Sequence, residues 1–223
     1  MPVEKISLTY RVVMACATPI VRWWGRIEVV GEQHLPERGA TVLMANHDSA
    51  WDPLVLGIAA LRRRQLRALA KSSLWKVRIV GWVLNGMGQI PIERGRGDTG
   101  ALAAAITQLE AGGCIGVFPE GTVSRGAPLR ALSGAGRLVL AVPDTQIVCA
   151  AVTGSVDVVR FPKRPHIRVE FFAPGEGPAK PGESAMGLTK RVMADVRAKA
   201  PYATPGRKKK AAEYRRRAAE KSD

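Results

Sequence analysis

Residues 41–53 read TVLMANHDSAWDP, and this stretch decides the fold because it joins a strand to a helix. The apolar run 41–45 predicts a strand, and Pro53 favours the first turn of a helix. Asp52 stands at the start of that helix, where free backbone N–H groups and the helix dipole stabilise a carboxylate. His47 lies at the exit of the strand. We therefore expect a turn that brings the Asp52 carboxylate to the His47 imidazole.

The expected pair of His47 and Asp52 has a definite chemistry. A carboxylate on one ring nitrogen fixes the tautomer of a histidine and stabilises the imidazolium, which leaves the other nitrogen free as a general base. The alternative is a structural histidine that merely lies near an aspartate. Ser49 is not expected to act as a nucleophile, since no G-x-S-x-G elbow surrounds it.

A second motif follows another apolar run: residues 117–125 read VFPEGTVSR. The Pro-Glu-Gly sequence favours a tight turn that leaves Glu120 and Thr122 at the carboxyl end of a strand. In α/β sheets that edge is where ligands bind. The motif therefore predicts a binding edge, and the alternative is an ordinary turn.

Around these motifs, short apolar runs alternate with helical patterns. Strands are predicted at residues 26–30, 41–45, 67–70, 89–92, 114–118, 146–152 and 167–172, and helices at 53–63, 73–84, 101–110, 131–141 and 185–199. Strands separated by helices predict an α/β fold, a single layered domain with a mixed, largely parallel central sheet flanked by helices. The 223 residues, 46% of them apolar, fit one such domain with appendages.

The net charge of +15, from 34 Lys and Arg against 19 Asp and Glu, favours an anionic partner. That partner is a nucleic acid, an acidic membrane surface or a phosphorylated substrate. No nucleic acid is expected, because aromatic residues make up 5% of the chain and the basic clusters lack interleaved stacking residues. The three cysteines form no C-x-x-C pair, which predicts neither a disulfide framework nor a zinc site.

The first and last segments of the sequence are both predicted to interact with a surface or with solvent. Residues 1–24 are predicted to form a membrane-interface helix, because the apolar run ends in Trp23 and Trp24 and carries arginines. The alternative is an ordinary core-packing helix. The longest uncharged run, 79–92, is too short and too broken by glycine and proline to span a bilayer. Residues 201–223 are predicted to be a basic flexible tail, which either solubilises the protein or attracts anionic lipid.

Residues 95–100 match G-x-G-x-x-G, a pattern typical of dinucleotide-binding loops. Asp98, however, stands where a pyrophosphate would approach, and no second βαβ half follows. The pattern is therefore interpreted as a turn with a helix cap.

Taken together, the motifs resemble a known family. Residues 46–52 give N-H-x4-D and residues 118–124 give F-P-E-G-T-x-S, the two signatures of the PlsC-like glycerophospholipid acyltransferases, which include 1-acylglycerol-3-phosphate O-acyltransferases. Residues 88–94 look like the G-x-I-x-I-x-R block of that family, and Lys71 occupies a place where the family often has lysine. The resemblance runs from about residue 30 to residue 174, within a predicted acyltransferase domain of residues 25–200.

The resemblance implies a one-step acyl transfer. His47, oriented by Asp52, takes the proton from the free hydroxyl of 1-acylglycerol 3-phosphate, whose oxygen attacks the thioester of acyl-CoA or acyl-carrier protein and gives phosphatidic acid. No acyl-enzyme, metal or further cofactor is implied. Arg94 and Lys71 would hold the phosphate, and residues 120–122 would shape the glycerol pocket. The residues to which the resemblance assigns substrate binding are Asn46, Lys71, Arg94, Glu120, Gly121, Thr122 and Arg125.

The implied partners are a lysophospholipid, acyl-CoA and an anionic membrane surface. The implied location is the cytoplasmic face of a membrane, where the protein would bind as a peripheral, monotopic enzyme. The surplus of positive charge agrees with an acidic lipid surface and with the phosphates of coenzyme A.

The sequence departs from the family pattern in two places. Val123 stands where the family commonly has the arginine of the acceptor phosphate, and the next arginine is Arg125. Either Arg125 reaches back, or Arg94 and Lys71 carry the phosphate, or the acceptor is a different lysolipid or alcohol. The run 146–152 lacks the prolines usual at that place in the family, which bears on the preferred chain length and acceptor.

Overall fold

The computed structural model describes residues 6–93, 98–158 and 164–203, and its strands form one seven-stranded sheet. The strands are β1 (Glu28–Val30), β2 (Thr41–Ala45), β3 (Arg67–Lys71), β4 (Ile90–Ile92), β5 (Cys114–Val117), β6 (Gln146–Thr153) and β7 (Arg168–Phe172). Their order across the sheet is β1-β7-β6-β2-β5-β3-β4. Strand β7 runs antiparallel to β6, and the other neighbouring pairs are parallel. This mixed, largely parallel sheet confirms the predicted fold class.

Strand β2 lies at the centre of the sheet and carries the first motif to the carboxyl edge. All five of its residues are buried, as expected for a parallel strand covered on both faces. Strand β5 is parallel to β2, with Met44 opposite Val117, so the second motif leaves the sheet at the same edge. Strand β6 is also parallel to β2 and ends at that edge with Thr153.

Helices cover both faces of the sheet. The α-helices are α1 (Leu8–Thr18), α2 (Asp52–Ala60), α3 (Arg78–Gly86), α4 (Thr99–Glu110), α5 (Gly134–Ala141) and α6 (Ala185–Lys199). Helices α1 and α2 pack on one face, in a core that includes Tyr10, Met14 and Leu43. Helices α4, α5 and α6 pack on the other face, in a core that includes Met44 and Leu138. The two motifs are therefore held at one edge of a sheet that is packed on both sides.

One predicted helix is divided in two. The sequence predicts a single helix over residues 73–84, but the chain forms a 3₁₀ turn at Ser72–Lys76, becomes extended at Val77 and then starts α3. The turn folds back onto α3 because the indole of Trp75 donates a hydrogen bond to Asn85 Oδ1 at 2.7 Å. Gly81 leaves room for that indole, since an added Cβ there would lie 3.2 Å from Trp75 Cδ1.

The N-terminal segment has one face in the core and one in solvent. Helix α1 continues into a π-helical turn at Pro19–Trp24. Tyr10 and Met14 are buried, whereas Leu8 and Trp23 are each 74% exposed. None of the helices in the described ranges is long and apolar enough to cross a bilayer. Residues 204–223 of the predicted tail lie outside the described residues.

Helices α5 and α6 come into close contact at Gly136, where an added Cβ would lie 2.0 Å from the carbonyl oxygen of Ala185. We expect Gly136→Ala to lower the free energy of unfolding by about 1–3 kcal/mol, because the backbones must separate. Gly134→Ala in the same helix is the control, since a Cβ there meets nothing within 4 Å and alanine favours a helix. Urea unfolding measures both variants, and equal stabilities would contradict the prediction.

Candidate active site

The turn after β2 brings His47 and Asp52 together. The Nδ1 atom of His47 lies 3.1 Å from Oδ2 of Asp52, and both side chains are buried. The same carboxylate oxygen accepts the backbone N–H groups of Asp48 and Ser49, each at 2.8 Å. Asp52 is the first residue of α2, so the chain wraps around its carboxylate at the start of a helix. The sequence predicted this turn because the two residues are close along the chain.

The second carboxylate oxygen of Asp52 also accepts a hydrogen bond. Ser155, which follows β6, donates its hydroxyl hydrogen to Oδ1 of Asp52 at 2.5 Å. The hydrogen bonds to its two oxygens hold this carboxylate in one orientation. With Asp52 accepting at Nδ1, the proton of the neutral imidazole lies on Nδ1, and Nε2 keeps its lone pair. The arrangement is that of a histidine prepared to accept a proton at Nε2.

The aromatic ring of Phe118 fixes the plane of the imidazole. The two ring centroids are 4.3 Å apart and the rings are inclined by 25°, a stacked arrangement. Phe118 directly follows β5, so the second motif supplies the apolar surface against which the histidine of the first motif lies. The sequence predicted no role for Phe118 beyond membership of the motif.

Asn46, predicted to bind substrate, lies beneath the site. Its side-chain amide donates to the carbonyl oxygen of Val152 at 2.8 Å and to Oδ2 of Asp48 at 2.9 Å, and its Oδ1 accepts the N–H of Val152 at 2.8 Å. The residue is completely buried. Asn46 thus joins the end of β2 to the end of β6 and orients Asp48.

An arginine from α6, for which the sequence predicted no role, joins the two motifs. The Nε atom of Arg197 donates to Oε1 of Glu120 at 2.7 Å, and its Nη1 donates to Oδ2 of Asp48 at 2.8 Å. Glu120 in turn accepts the backbone N–H of His47 at 3.2 Å. The only available signal was indirect: two acidic residues at one sheet edge need a buried cation. We call Arg197 with Asp48 and Glu120 the arginine clamp.

The arginine clamp is buried, and its hydrogen bonds favour the charged guanidinium. The side chains of Arg197, Asp48 and Glu120 are 11%, 3% and 1% exposed. Burial disfavours the charged guanidinium, but its hydrogen bonds with Asp48 and Glu120 outweigh that effect and raise the pKa of Arg197 above its ordinary value. The guanidinium also lies over the ring of Tyr202, with Cζ 3.8 Å from the ring centroid. These contacts fix the carboxyl end of α6 against the site.

Ser124 completes the connection between the two motifs. Its hydroxyl donates to Oδ1 of Asp48, and its backbone N–H donates to the carbonyl oxygen of His47 at 2.7 Å. Both the side chain and the backbone of the second motif therefore hold the turn that contains the histidine. The serine of the F-P-E-G-T-x-S motif thus forms hydrogen bonds with the first motif.

The residues predicted to bind a phosphate lie in different places. Lys71 is exposed at the end of β3 and lines a cavity together with His47. Arg125 is exposed, and its backbone φ is +52°. Arg94 lies outside the described residues. Gly121 and Thr122 line a second cavity.

The first cavity, the α1–α3 cavity, has a volume of about 510 Å³ and lies along β3, where Leu66 and residues 68–71 line it. His47 and Lys71 contribute to it at the carboxyl edge of the sheet. Most of its wall is apolar; among the residues that line it are Val13, Met14, Leu54, Leu74, Val80 and Leu84.

The second cavity, the α4–α5 cavity, has a volume of about 550 Å³ and lies next to the second motif. Its apolar wall includes Leu102, Leu132 and Met186, and its polar residues include Ser133 and Arg137. Leu69, Val117 and Phe118 line both cavities. Both volumes fall in the range of about 300–1,000 Å³ that small-molecule sites occupy.

The site combines an aspartate-bound histidine with two apolar cavities at the carboxyl edge of an α/β sheet. Such a site can activate a hydroxyl group next to long apolar ligands. Residues 26–153, more than half of the chain, match the family described as Acyltransferase. The chain therefore belongs to the acyltransferase family, and the resemblance drawn from the motifs is confirmed.

Individual relatives agree with this assignment. The chain is 33% identical over 123 residues to a 1-acyl-sn-glycerol-3-phosphate acyltransferase of Borreliella burgdorferi, which covers 53% of this chain and 48% of the relative. It is 31% identical over 143 residues to a lyso-ornithine lipid O-acyltransferase of Pseudomonas aeruginosa. This match covers 58% of this chain and 53% of the relative. The chain thus spans about half the length of the curated relatives it matches.

The fold is also that of a solved structure. The crystal structure of the 1-acyl-sn-glycerophosphate (LPA) acyltransferase PlsC from Thermotoga maritima superposes with a TM-score of 0.60 at 21% identity. The match covers 85% of this chain and 79% of the other. The likeness establishes the common fold.

The arginine clamp predicts a large loss of stability when Arg197 is replaced. We expect Arg197→Met to lower the free energy of unfolding by about 3–5 kcal/mol, because two buried carboxylates lose their cation. Arg191→Met is the matched control in the same helix, where Arg191 pairs with the single carboxylate of Glu183 at 2.6 Å and a smaller loss is expected. Urea unfolding at neutral pH measures both. A stable Arg197→Met protein would show that the clamp contributes little.

Proposed function

We propose that the protein transfers an acyl chain from acyl-CoA or acyl-carrier protein to the free hydroxyl of 1-acylglycerol 3-phosphate, which gives phosphatidic acid. The observation that carries this proposal is the position of His47, which is bound to Asp52 through Nδ1 and lines an apolar cavity. The similarity to proteins named 1-acyl-sn-glycerol-3-phosphate acyltransferase supports the same reaction.

In the proposed reaction His47 acts as the general base. Its Nε2 accepts the proton of the acceptor hydroxyl while the oxygen of that hydroxyl attacks the thioester carbonyl carbon. A C–O bond forms, the C–S bond breaks, and the departing thiolate takes the proton from the imidazolium. Asp52 stabilises the imidazolium and keeps the ring in one orientation, a contribution that general-base catalysis requires.

The serines near the site support direct transfer without an acyl-enzyme. Ser124 donates its hydroxyl hydrogen to Asp48, and Ser155 donates to Asp52. The hydroxyl oxygen of Ser49 accepts the backbone N–H of Trp51 at 3.2 Å. A serine nucleophile needs its hydroxyl hydrogen-bonded to the base, whereas Ser124 and Ser155 donate their hydroxyl hydrogens to carboxylates.

A different lysolipid is the second candidate acceptor. Val123 is half-buried at the place where the family commonly has an arginine, and one relative is named a lyso-ornithine lipid O-acyltransferase. The chemistry at His47 would be the same for either acceptor. Lys71, which shares a cavity with His47, would favour an acceptor with an anionic head group.

The protein is also proposed to bind the cytoplasmic face of an anionic membrane as a peripheral enzyme. Helices α1 and α3 lie together, with the hydroxyl of Ser7 donating to the carbonyl oxygen of Gly86 at 2.8 Å. Trp23, Ile79 and Trp82 are 74%, 76% and 72% exposed. Large exposed apolar side chains on a chain of net charge +15 are typical of a surface that binds acidic lipid.

The catalytic proposal predicts that His47→Ala lowers the rate of transfer by about 10²–10⁴-fold, the usual contribution of a general base. Asp52→Asn should also be slow, because an amide does not stabilise the imidazolium. The measurement is release of free coenzyme A from oleoyl-CoA in the presence of lysophosphatidate, with His34→Ala as a control at a histidine outside the site.

An unchanged rate in His47→Ala would contradict the proposed mechanism. The same assay with a lyso-ornithine lipid and with monoacylglycerol tests the acceptor. Faster release with lysophosphatidate than with either of them supports 1-acylglycerol 3-phosphate. The reverse order supports the second candidate.

The membrane proposal predicts weaker vesicle binding for Trp23→Glu and Trp82→Glu. Moving one large apolar side chain out of the bilayer interface costs about 1.5–3 kcal/mol, roughly a tenfold to hundredfold loss of affinity. Co-sedimentation with vesicles of phosphatidylglycerol and phosphatidylcholine measures it. The control is Leu140→Glu, a 45% exposed position on α5, and equal binding of all variants would contradict this surface.

A further inference from the structure

The carboxylate of Asp52 accepts hydrogen bonds from two separate parts of the chain. Its Oδ2 atom accepts the backbone N–H groups of Asp48 and Ser49 and faces Nδ1 of His47. Its Oδ1 atom accepts the hydroxyl hydrogen of Ser155, and it has no other hydrogen bond within the ranges that the structure describes. One oxygen is therefore fixed by the first motif itself, and the other depends on a residue 103 positions further along the chain.

A fixed turn after β6 holds Ser155 next to Asp52. Gly154 enters this 3₁₀ turn with a φ of +77°, and an added Cβ there would lie 2.0 Å from a carbonyl oxygen of the segment before β7. On the other side of the turn, the carbonyl oxygen of Val158 accepts the indole N–H of Trp24 at 2.8 Å. The turn is thus packed against its neighbours on both sides of the serine.

The hydrogen bond between Ser155 and Asp52 lies in the interior. Asp52 is 0% exposed and Ser155 is 1% exposed. A donor to a buried carboxylate stabilises its negative charge, and removal of that donor leaves an oxygen without a partner where water does not replace it. Ser155 lines neither of the two cavities at the site. Its contact with the site is therefore through Asp52.

The proposed reaction, on which this inference rests, begins with a neutral imidazole. A protonated His47 cannot accept the proton of the acceptor hydroxyl. While the ring is neutral, hydrogen bonds alone balance the negative charge of Asp52, whereas a protonated ring balances that charge itself. A donor to Oδ1 of Asp52 therefore favours the neutral ring over the protonated one.

We propose that Ser155 is a positioning residue for the general base. By donating to Oδ1 of Asp52, it keeps the carboxylate aligned with His47 and keeps the ring free to accept a proton. Ser155 does not touch the substrate, and its own hydrogen stays on the hydroxyl throughout the reaction. The turn after β6 thus serves the reaction together with the two motifs, although neither motif contains it.

Other charged or titratable groups surround His47 and Asp52. They come from the first motif, the second motif, α6, β3, α1 and the turn after β6, and they are Asp48, Glu120, Arg197, Lys71, Tyr10 and Asp157. Ser155→Ala changes none of these groups. A change in the pH dependence of this variant therefore reports on the hydrogen bond to Asp52.

The first measurement is the pH dependence of coenzyme A release from oleoyl-CoA in the presence of lysophosphatidate. We expect Ser155→Ala to lower kcat about 10–100-fold, the usual effect of losing a hydrogen bond to a charged group, and to change KM less than about twofold. The acidic limb of the kcat/KM profile should move about 0.5–1 unit to higher pH, because the ring is then protonated more readily. An unchanged profile, or one that moves to lower pH, overturns the proposal.

Thr145→Val is the matched control at the other end of β6. Thr145 is 8% exposed and its hydroxyl donates to the carbonyl oxygen of Val142 at 2.6 Å, so this substitution also removes a buried hydroxyl hydrogen bond. It should leave kcat and the pH profile unchanged, and a shift equal to that of Ser155→Ala overturns the proposal. If Ser155→Ala does not fold, Ser155→Cys gives the same readout, since a thiol is a weak donor.

A measurement without substrate separates this inference from the proposed function. If the wild-type protein transfers no acyl chain to any lysolipid, the proposed function fails. The imidazole signals of the three histidines are still followed by NMR as the pH is varied, and His47→Ala identifies the signal of His47. A titration midpoint of His47 that is higher in Ser155→Ala than in the wild type and in Thr145→Val supports the role of Ser155. An equal or lower midpoint overturns it.

Discussion

The site depends on one buried interaction, the pairing of Arg197 with Asp48 and Glu120. The two carboxylates follow neighbouring parallel strands, so they come to the same edge of the sheet and would repel each other without a cation between them. Burial of two unpaired carboxylates costs several kcal/mol each, whereas a guanidinium with hydrogen bonds to both satisfies them. Because Glu120 also accepts the N–H of His47, the position of the histidine depends on the same arginine. The helix that supplies Arg197 is in turn held by its close contact with α5.

The sequence predicted most of the sheet and the centre of the site because both rest on local patterns. Buried parallel strands such as β2 read as continuous apolar runs, and His47 and Asp52 are only five residues apart, joined by a turn before a helix. The clamp could not be predicted in the same way: Arg197 is 149 residues from Asp48 and lies in a helix whose other cations are exposed or paired elsewhere. Ser155 is likewise 103 residues from Asp52. The division of the helix at 73–84 results from a contact between the side chains of Trp75 and Asn85 that helical periodicity does not reveal.

The residues of the family motifs have two kinds of role in this structure. His47 and Phe118 face cavities in which ligands fit, whereas Asn46, Ser124 and the carboxylate of Glu120 are occupied with holding the turns together. Because most of the motif residues stabilise the turns, the head group of the proposed acceptor would have to be recognised by side chains outside the motifs. This division agrees with the existence of relatives of this chain that are named for acceptors with different head groups.

The distance along the chain between Asp48 and Arg197 also bears on how the protein folds. The first motif leaves the ribosome long before α6, so a nascent chain contains the histidine and the aspartate without the cation that fixes their turn. Closing the clamp is one of the most non-local steps in the fold, and contacts of large sequence separation are slow to form. The ordering of the site is thus delayed until α6 has been synthesised, when the strands of the sheet and the preceding helices are already available to receive it.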